Sequence, residues 1–338
     1  MKLDTANRSF AGLLGASLLG GMFIFCGAVG CVLVVLVVSR LAQDGLAALS
    51  TDGRTLWPAA LFMAVVGAGA IAGLFSLWRQ IGASRRLADR VRELSLPLPD
   101  ELAAAAERTG LPGRVRLVDS DERFSFAYGA FTPRAAVSRG LYQVASADEL
   151  EAVLEHERYH VRNLDPLKVL LARALPATFF YVPALSGLKA RYVAARELAA
   201  DRRAVASRGR APLAGALLKV VHGPGWPELQ VAAAIGGPEL LDVRIAQLET
   251  GSEPNIVGLT ARALALSAGA AALLTGLFVA SIAAYGGPSA VAQTTGARFD
   301  VLNVAGGLLC AAPWAAGAWL GYRWLARRTH RPLDTTPS

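Results

Sequence analysis

Charge is scarce in this chain, and where it is missing matters more than how little there is. Asp, Glu, Lys and Arg make up 18% of the 338 residues, against 54% hydrophobic. None of the four occurs between Arg8 and Arg40, Arg54 and Arg79, Arg262 and Arg298, or Asp300 and Arg323. Each gap reaches the roughly 20 apolar residues that a helix needs to cross a bilayer. Such runs are too long and too free of charge for buried core helices, so a soluble fold is excluded. Four transmembrane helices are expected, near Ala11–Val38, Leu56–Trp78, Ala263–Tyr285 and Val301–Tyr322. The first run is too long for a signal-peptide core and a second follows soon after, so its cleavage is not expected. Cysteine is scarce too: Cys26, Cys31 and Cys310 all fall inside proposed spans. They read as small packed side chains, which excludes a disulfide framework and a cysteine metal site. The spans also lack internal Asp, Glu, His and Lys, which argues against a transporter with an ion pathway.

The net charge is +8, and its placement points to a membrane rather than to nucleic acid. Arg79, Arg85, Arg86, Arg90 and Arg92 follow the second run, and Arg323, Arg327, Arg328 and Arg331 follow the last. The loop from Ser39 to Thr55 is balanced, with Arg40 and Arg54 against Asp44 and Asp52. By the positive-inside rule, both termini and the middle of the chain are expected on the cytoplasmic side of the plasma membrane. The basic clusters would then lie against anionic headgroups. Three parts are expected: 1–92, a two-helix hairpin with its basic segment; 93–255, a cytoplasmic domain; and 256–338, a second hairpin with a basic tail.

The middle part reads as a small α+β unit. Pro99–Thr109 is an Ala-rich helix stopped by Gly110, Val115–Asp119 alternates as a strand, and Phe124–Tyr128 and Ala135–Ser138 are short strands. Ser146-Ala147-Asp148-Glu149 is a capping box that opens the next helix, and Pro166 lies beyond its end. Further helices are expected at Ala190–Ser207, Ala211–Val221 and Pro238–Thr250, with Gly223–Pro227 a loop.

Histidine is the third scarcity, with four in the chain, and two of them stand in His156-Glu157-Arg158-Tyr159-His160. On a helix, positions four apart share a face, so both imidazoles can grip one ion while Glu157 lies beside the water to be activated. That pattern implies a zinc hydrolase, most simply a peptidase. Catalytic zinc needs a third protein ligand. A third histidine six residues on is excluded, because that position is Pro166. The remaining choice is a carboxylate on a later helix, in Arg196-Glu197-Leu198-Ala199-Ala200-Asp201. Glu197 would ligate, and Asp201, on the same face, would accept a hydrogen bond from the outer nitrogen of a ligating histidine. Topology must agree, since Glu197 reaches the ion only if the chain does not cross the membrane after His160. The intervening apolar stretch Ala174–Leu188 is short and contains Pro176 and Pro183, so it is expected not to cross. Arg244, Tyr159, Tyr192 and His222 are candidate donors to an oxyanion, Arg244 first among them.

The stretch Leu150–Asp165, followed by Glu-Leu-Ala-Ala-Asp at Glu197–Asp201, resembles the membrane-bound gluzincin peptidases. These are the BlaR1-type M56 family and the related M48 family of HtpX and CAAX-prenyl proteases. Ser125–Gly129 and Pro133–Leu141 upstream and Arg244–Leu248 downstream are similar to further family segments. The resemblance implies a small zincin-like domain on a mainly α membrane protein. It implies one Zn2+ per chain on His156, His160 and Glu197, with Glu157 as base. A polypeptide substrate is implied, a cytosolic repressor or a membrane protein, pairing by strand addition along Phe126–Ser138. BlaR1-type receptors carry a sensor domain after their last span; here a short tail follows Tyr322, so direct β-lactam sensing is not implied. HtpX-type enzymes place two spans between the histidine helix and the third ligand, and the single short stretch here brings M56 closer. The alternatives are an M48-type quality-control protease, or a non-proteolytic scaffold on the same fold.

Overall fold

The structure, a computed structural model, describes residues 5–25, 57–220, 238–252, 254 and 259–284. Helix α1 is Thr5–Phe25, α2 is Trp57–Glu93, and strand β1 is Ser95–Leu96. Then come α3 (Asp100–Arg108), β2 (Val115–Val118), β3 (Ser125–Tyr128), β4 (Arg134–Ser138) and the short α4 (Arg139–Val144). The histidine helix α5 is Ala147–Arg162, followed by α6 (Asp165–Thr178), α7 (Ala184–Arg208), α8 (Arg210–Lys219), α9 (Pro238–Thr250) and α10 (Ala261–Ala284). Among the described residues, the chain is mainly helical with one small sheet, and α2 and α10 are long and apolar enough to cross a membrane.

The third expected span matches α10 closely. The second is the first part of something longer. Helix α2 does not stop at Trp78 but carries Arg79, Arg85, Arg86, Arg90 and Arg92 on for a total of 37 residues, about 55 Å. Nothing from Arg79 to Glu93 breaks a helix, since the segment has no proline and one glycine. Its two halves face different surroundings. Ile71, Leu74, Phe75 and Trp78 are exposed, whereas Leu87 and Val91 are buried against the sheet. Helix α1 begins six residues before the expected first span, and its opening turns are buried: Phe10 and Leu13 pack with Val169, Leu185 and Tyr192. The remainder of that span, the span at Val301–Tyr322, all three cysteines, His222 and the loop Gly223–Pro227 lie outside the described residues.

The sheet order is β1-β2-β4-β3, with β2 and β4 parallel and β3 antiparallel to β4, pairing Ser125 with Val137 and Tyr128 with Arg134. This leaves β3 at an edge. Side chains of a strand alternate between its faces. Phe126 and Tyr128 join Phe124, Leu87 and Val91 under α2, so Ser125 and Ala127 point the other way, towards α5. The opposite core joins Leu102, Leu111, Val137, Leu141, Leu150 and Leu154, clamping α3, the sheet and α5 together.

Candidate metal centre

Helix α5 starts where the sequence says it should. Ser146 Oγ accepts from the Glu149 N–H, and the Glu149 carboxylate accepts from the Ser146 N–H. The helix ends at Arg162, and the chain turns sharply at Leu164, whose φ of 54° is left-handed. A leucine there costs about 1–2 kcal/mol. The turn brings Asp165 back beside the helix it has just left.

Two helices bring the three candidate ligands together. His156 and His160 project from α5 with their Nε2 atoms 3.1 Å apart. Glu197 of α7 lies opposite, one carboxylate oxygen 3.4 Å from His156 Nε2 and the other 3.7 Å from His160 Nε2. All three are buried, and their ligand atoms lie within 4.8 Å of one another. The outer nitrogens are held as well. His156 Nδ1 is 2.8 Å from Asp201 Oδ1, and His160 Nδ1 is 2.7 Å from Asp165 Oδ2. Asp165 accepts from His160, which puts that ring's N–H at Nδ1 and its lone pair at Nε2, and Asp201 sits as a counter-charge beside His156 Nδ1. Two imidazole nitrogens and a carboxylate thus face one another at 3.1–3.7 Å. Nitrogen–nitrogen–oxygen is a donor set suited to zinc. The residues present fit a metal ion.

The surrounding charges are braced in turn. Arg244 Nε and Nη2 each donate to an oxygen of Asp201 at 2.7 Å, and its Nη1 lies 3.9 Å from Glu197. Arg196 Nη2 is 3.0 Å from Glu197 Oε1. Tyr192 donates to Asp165 Oδ1 at 3.3 Å. Burial raises the pKa of Asp201, but Arg244 and the hydrogen bond from His156 outweigh it and bring it down to about 2. Burial likewise opposes ionisation of Glu197, and His160, Arg196 and His156 hold it well below the carboxylate range. Burial disfavours charge on His156, yet hydrogen bonds to Asp201 and Glu197 lift it to about 9. The field at this spot favours positive charge.

Glu157 is buried next to this group. Ser125 of the edge strand donates its hydroxyl to Glu157 Oε1 at 2.8 Å, while Oε2 is buried with no hydrogen-bond partner among the described residues. Both line a cavity of about 120 Å³ with His156, His160, Glu197 and Arg244. Val153, Leu213, Ala216, Leu217 and Val220 form its apolar wall.

Of the residues singled out in the sequence, His156, Glu157, His160, Glu197, Asp201 and Arg244 are together. Arg244 is committed first to Asp201, a role that had not been assigned to it. Tyr192 is an internal brace, 1% exposed, and Tyr159 packs against Ala6, Ala195 and Ala199. The sequence reading missed Asp165, Ser125 and Arg196. Substituting Asp165→Asn removes the charge facing His160 while keeping an acceptor. Metal affinity, measured by competition with a chelator, is expected to fall roughly 10–100-fold.

The family profile described as BlaR1 peptidase M56 matches residues 28–248. A Protease HtpX homolog of Herminiimonas arsenicoxydans is 33% identical over 150 residues, 43% of this chain and 50% of its own length. Protease HtpX of Idiomarina loihiensis is 33% identical over 156 residues, covering 43% of this chain and 53% of that protein. A Protease HtpX homolog of Janthinobacterium sp. is 40% identical over 84 residues, 24% of this chain and 29% of its own length. The chain thus spans about half the length, or less, of these relatives.

Proposed function

The chain belongs to the BlaR1 peptidase M56 family of membrane metallopeptidases, and from that premise we propose that it is a zinc endopeptidase working at the cytoplasmic face of the plasma membrane. His156, His160 and Glu197 hold one zinc ion, Asp201 and Asp165 orient the two imidazoles, and Glu157 is the proton acceptor. The observation that carries this reading is the convergence of two imidazole Nε2 atoms and one carboxylate, with both Nδ1 atoms tied to acids. The chemistry that zinc supplies when bound is Lewis acidity, which polarises a carbonyl and makes water nucleophilic near neutral pH.

The rest belongs to the protein. Ser125 holds Oε1 of Glu157, so Oε2 is the oxygen left to take the proton of the attacking water and pass it to the leaving amine. Arg244 orients Asp201 with two nitrogens and lines the cavity, where its remaining donors would stabilise developing negative charge. The edge of β3, unpaired among the described residues, would align an extended polypeptide beside the centre. The substrate is a cytosolic regulator, such as a repressor, or a membrane-associated polypeptide. Four spans and the three parts 1–92, 93–255 and 256–338 complete the proposed architecture.

Chelation tests the metal dependence. Purified protein in detergent should cleave labelled casein, lose that activity in 1,10-phenanthroline, and regain it with added zinc. Cleavage that survives removal of all metal would end the proposal.

A further inference from the structure

The stretch between the two halves of the metal centre has a position that can be measured against α2. Helices α6 and α7 form a hairpin whose turn is Phe179–Pro183, and no charged residue occurs from Ala174 to Leu188. The hairpin touches both long apolar helices within their apolar parts. Gly69 and Gly73 of α2 receive Thr178 so closely that a Cβ at either would overlap its carbonyl or hydroxyl oxygen. Tyr181 packs against the cluster of Phe62, Leu274 and Leu277, which joins α2 to α10. The N–H of Ala184 donates to Ser267 Oγ of α10 at 3.0 Å.

Two routes along the chain give the same depth. On α2, Gly73 lies six residues before Arg79, about 9 Å along the axis. On α6, Thr178 lies five residues after Arg173, about 8 Å along that axis. Thr178 touches Gly73, so both routes end at one level and start within a residue's rise of each other. They start at the headgroup boundary, where the charge-free run of α2 ends.

We propose that the α6–α7 hairpin is a re-entrant element that enters the hydrocarbon from the side of the metal centre, ends near its middle, and returns without crossing. Thr178 stands about 8 Å below the boundary and the turn a few ångströms deeper, against a half-thickness of about 15 Å. The composition suits the place. Phe180 is exposed among the described residues, at 54%, and Arg173 and Lys189 flank the apolar tip like paired anchors. Two N–H groups at the turn are bonded within protein, as irregular chain at that depth requires: that of Val182 to the Phe179 carbonyl, and that of Ala184 to Ser267.

The geometry also places the candidate metal centre. Asp165 is eight residues from Arg173, and Glu197 eight from Lys189, so each helix climbs about 12 Å from the boundary to the site. This last consequence rests on the peptidase reading; the hairpin itself does not. It sets polypeptides lying on the membrane surface within direct reach.

Depth-dependent quenching tests the hairpin. Cys26, Cys31 and Cys310 are replaced by Ala, and Phe180→Cys carries an environment-sensitive NBD label in phosphatidylcholine vesicles. Ser186→Cys is the second hairpin site, used if the first variant fails to fold, and Ser207→Cys on exposed α7 is the control. The hairpin label should emit to the blue of the control, be quenched by nitroxides near the middle of the acyl chain, and ignore iodide. Iodide quenching equal to that at Ser207→Cys, without lipid quenching, would place the turn in water and overturn the proposal. Reaction of Phe180→Cys with an impermeant maleimide from the membrane face opposite Ser207→Cys would mean a full crossing, and would overturn it equally. Neither result bears on peptide hydrolysis, which the Glu157→Gln variant tests separately.

Discussion

Glu157→Gln should keep its metal and lose peptide cleavage. The substitution preserves size, and Gln can still accept the Ser125 hydroxyl through its amide oxygen, so the packing around α5 should survive. What it removes is a base. An amide takes no proton, and Oε2, which has no hydrogen-bond partner among the described residues, is replaced by a group that donates instead. General-base catalysis typically contributes about 10²–10⁴-fold, so cleavage should fall by at least 100-fold. Zinc content by mass spectrometry and casein cleavage, measured on the same preparation, check both halves. Cleavage at the wild-type rate would remove Glu157 from the mechanism. Unchanged biological activity with cleavage abolished would favour the non-proteolytic scaffold.

The second large effect is expected at Glu197. Glu197→Gln keeps the volume and an acceptor for Arg196, but replaces the proposed charged ligand with a poor one. Zinc affinity should drop by more than 100-fold, since two imidazoles alone make an incomplete site. Glu197→Ala should do worse, because it also strips a counter-charge from buried Arg196. Breaking a buried pair by removing one partner costs about 3–5 kcal/mol, so a clear fall in thermal midpoint should accompany loss of metal. Zinc titration against a competing chelator separates the two substitutions. Glu197→Gln that binds zinc as tightly as the wild type would show that the third ligand lies elsewhere.

How far the sequence could be read depends on how local each signal is. The capping box at Ser146, the i,i+4 histidines and the strand alternation at Val115–Asp119 are local, and each stands where its pattern placed it. Glu197 and Asp201 were legible because one ligand pair demands a third and two acids four apart share a face. Asp165 was not, because its position depends on Leu164 adopting a left-handed turn, where Gly or Asn would have been the usual signal. The role of Ser125 is not legible either, since its contact with Glu157 spans 32 residues and depends on the sheet order. The long α2 was cut short at Trp78 because hydropathy ends there, although the helix does not. Composition marks the membrane boundary, whereas helix ends are set by caps and breakers, and none lies between Trp78 and Glu93.

The proposed mechanism requires α5 and α7 to share one divalent cation. Zinc K-edge absorption on purified full-length protein measures that directly. About one zinc per chain is predicted, with two imidazole nitrogens at about 2.0–2.1 Å and a carboxylate oxygen at about 2.0–2.2 Å, the oxygen contribution changing in Glu197→Gln. A protein that retains no zinc, or a zinc spectrum without imidazole scattering, would contradict it.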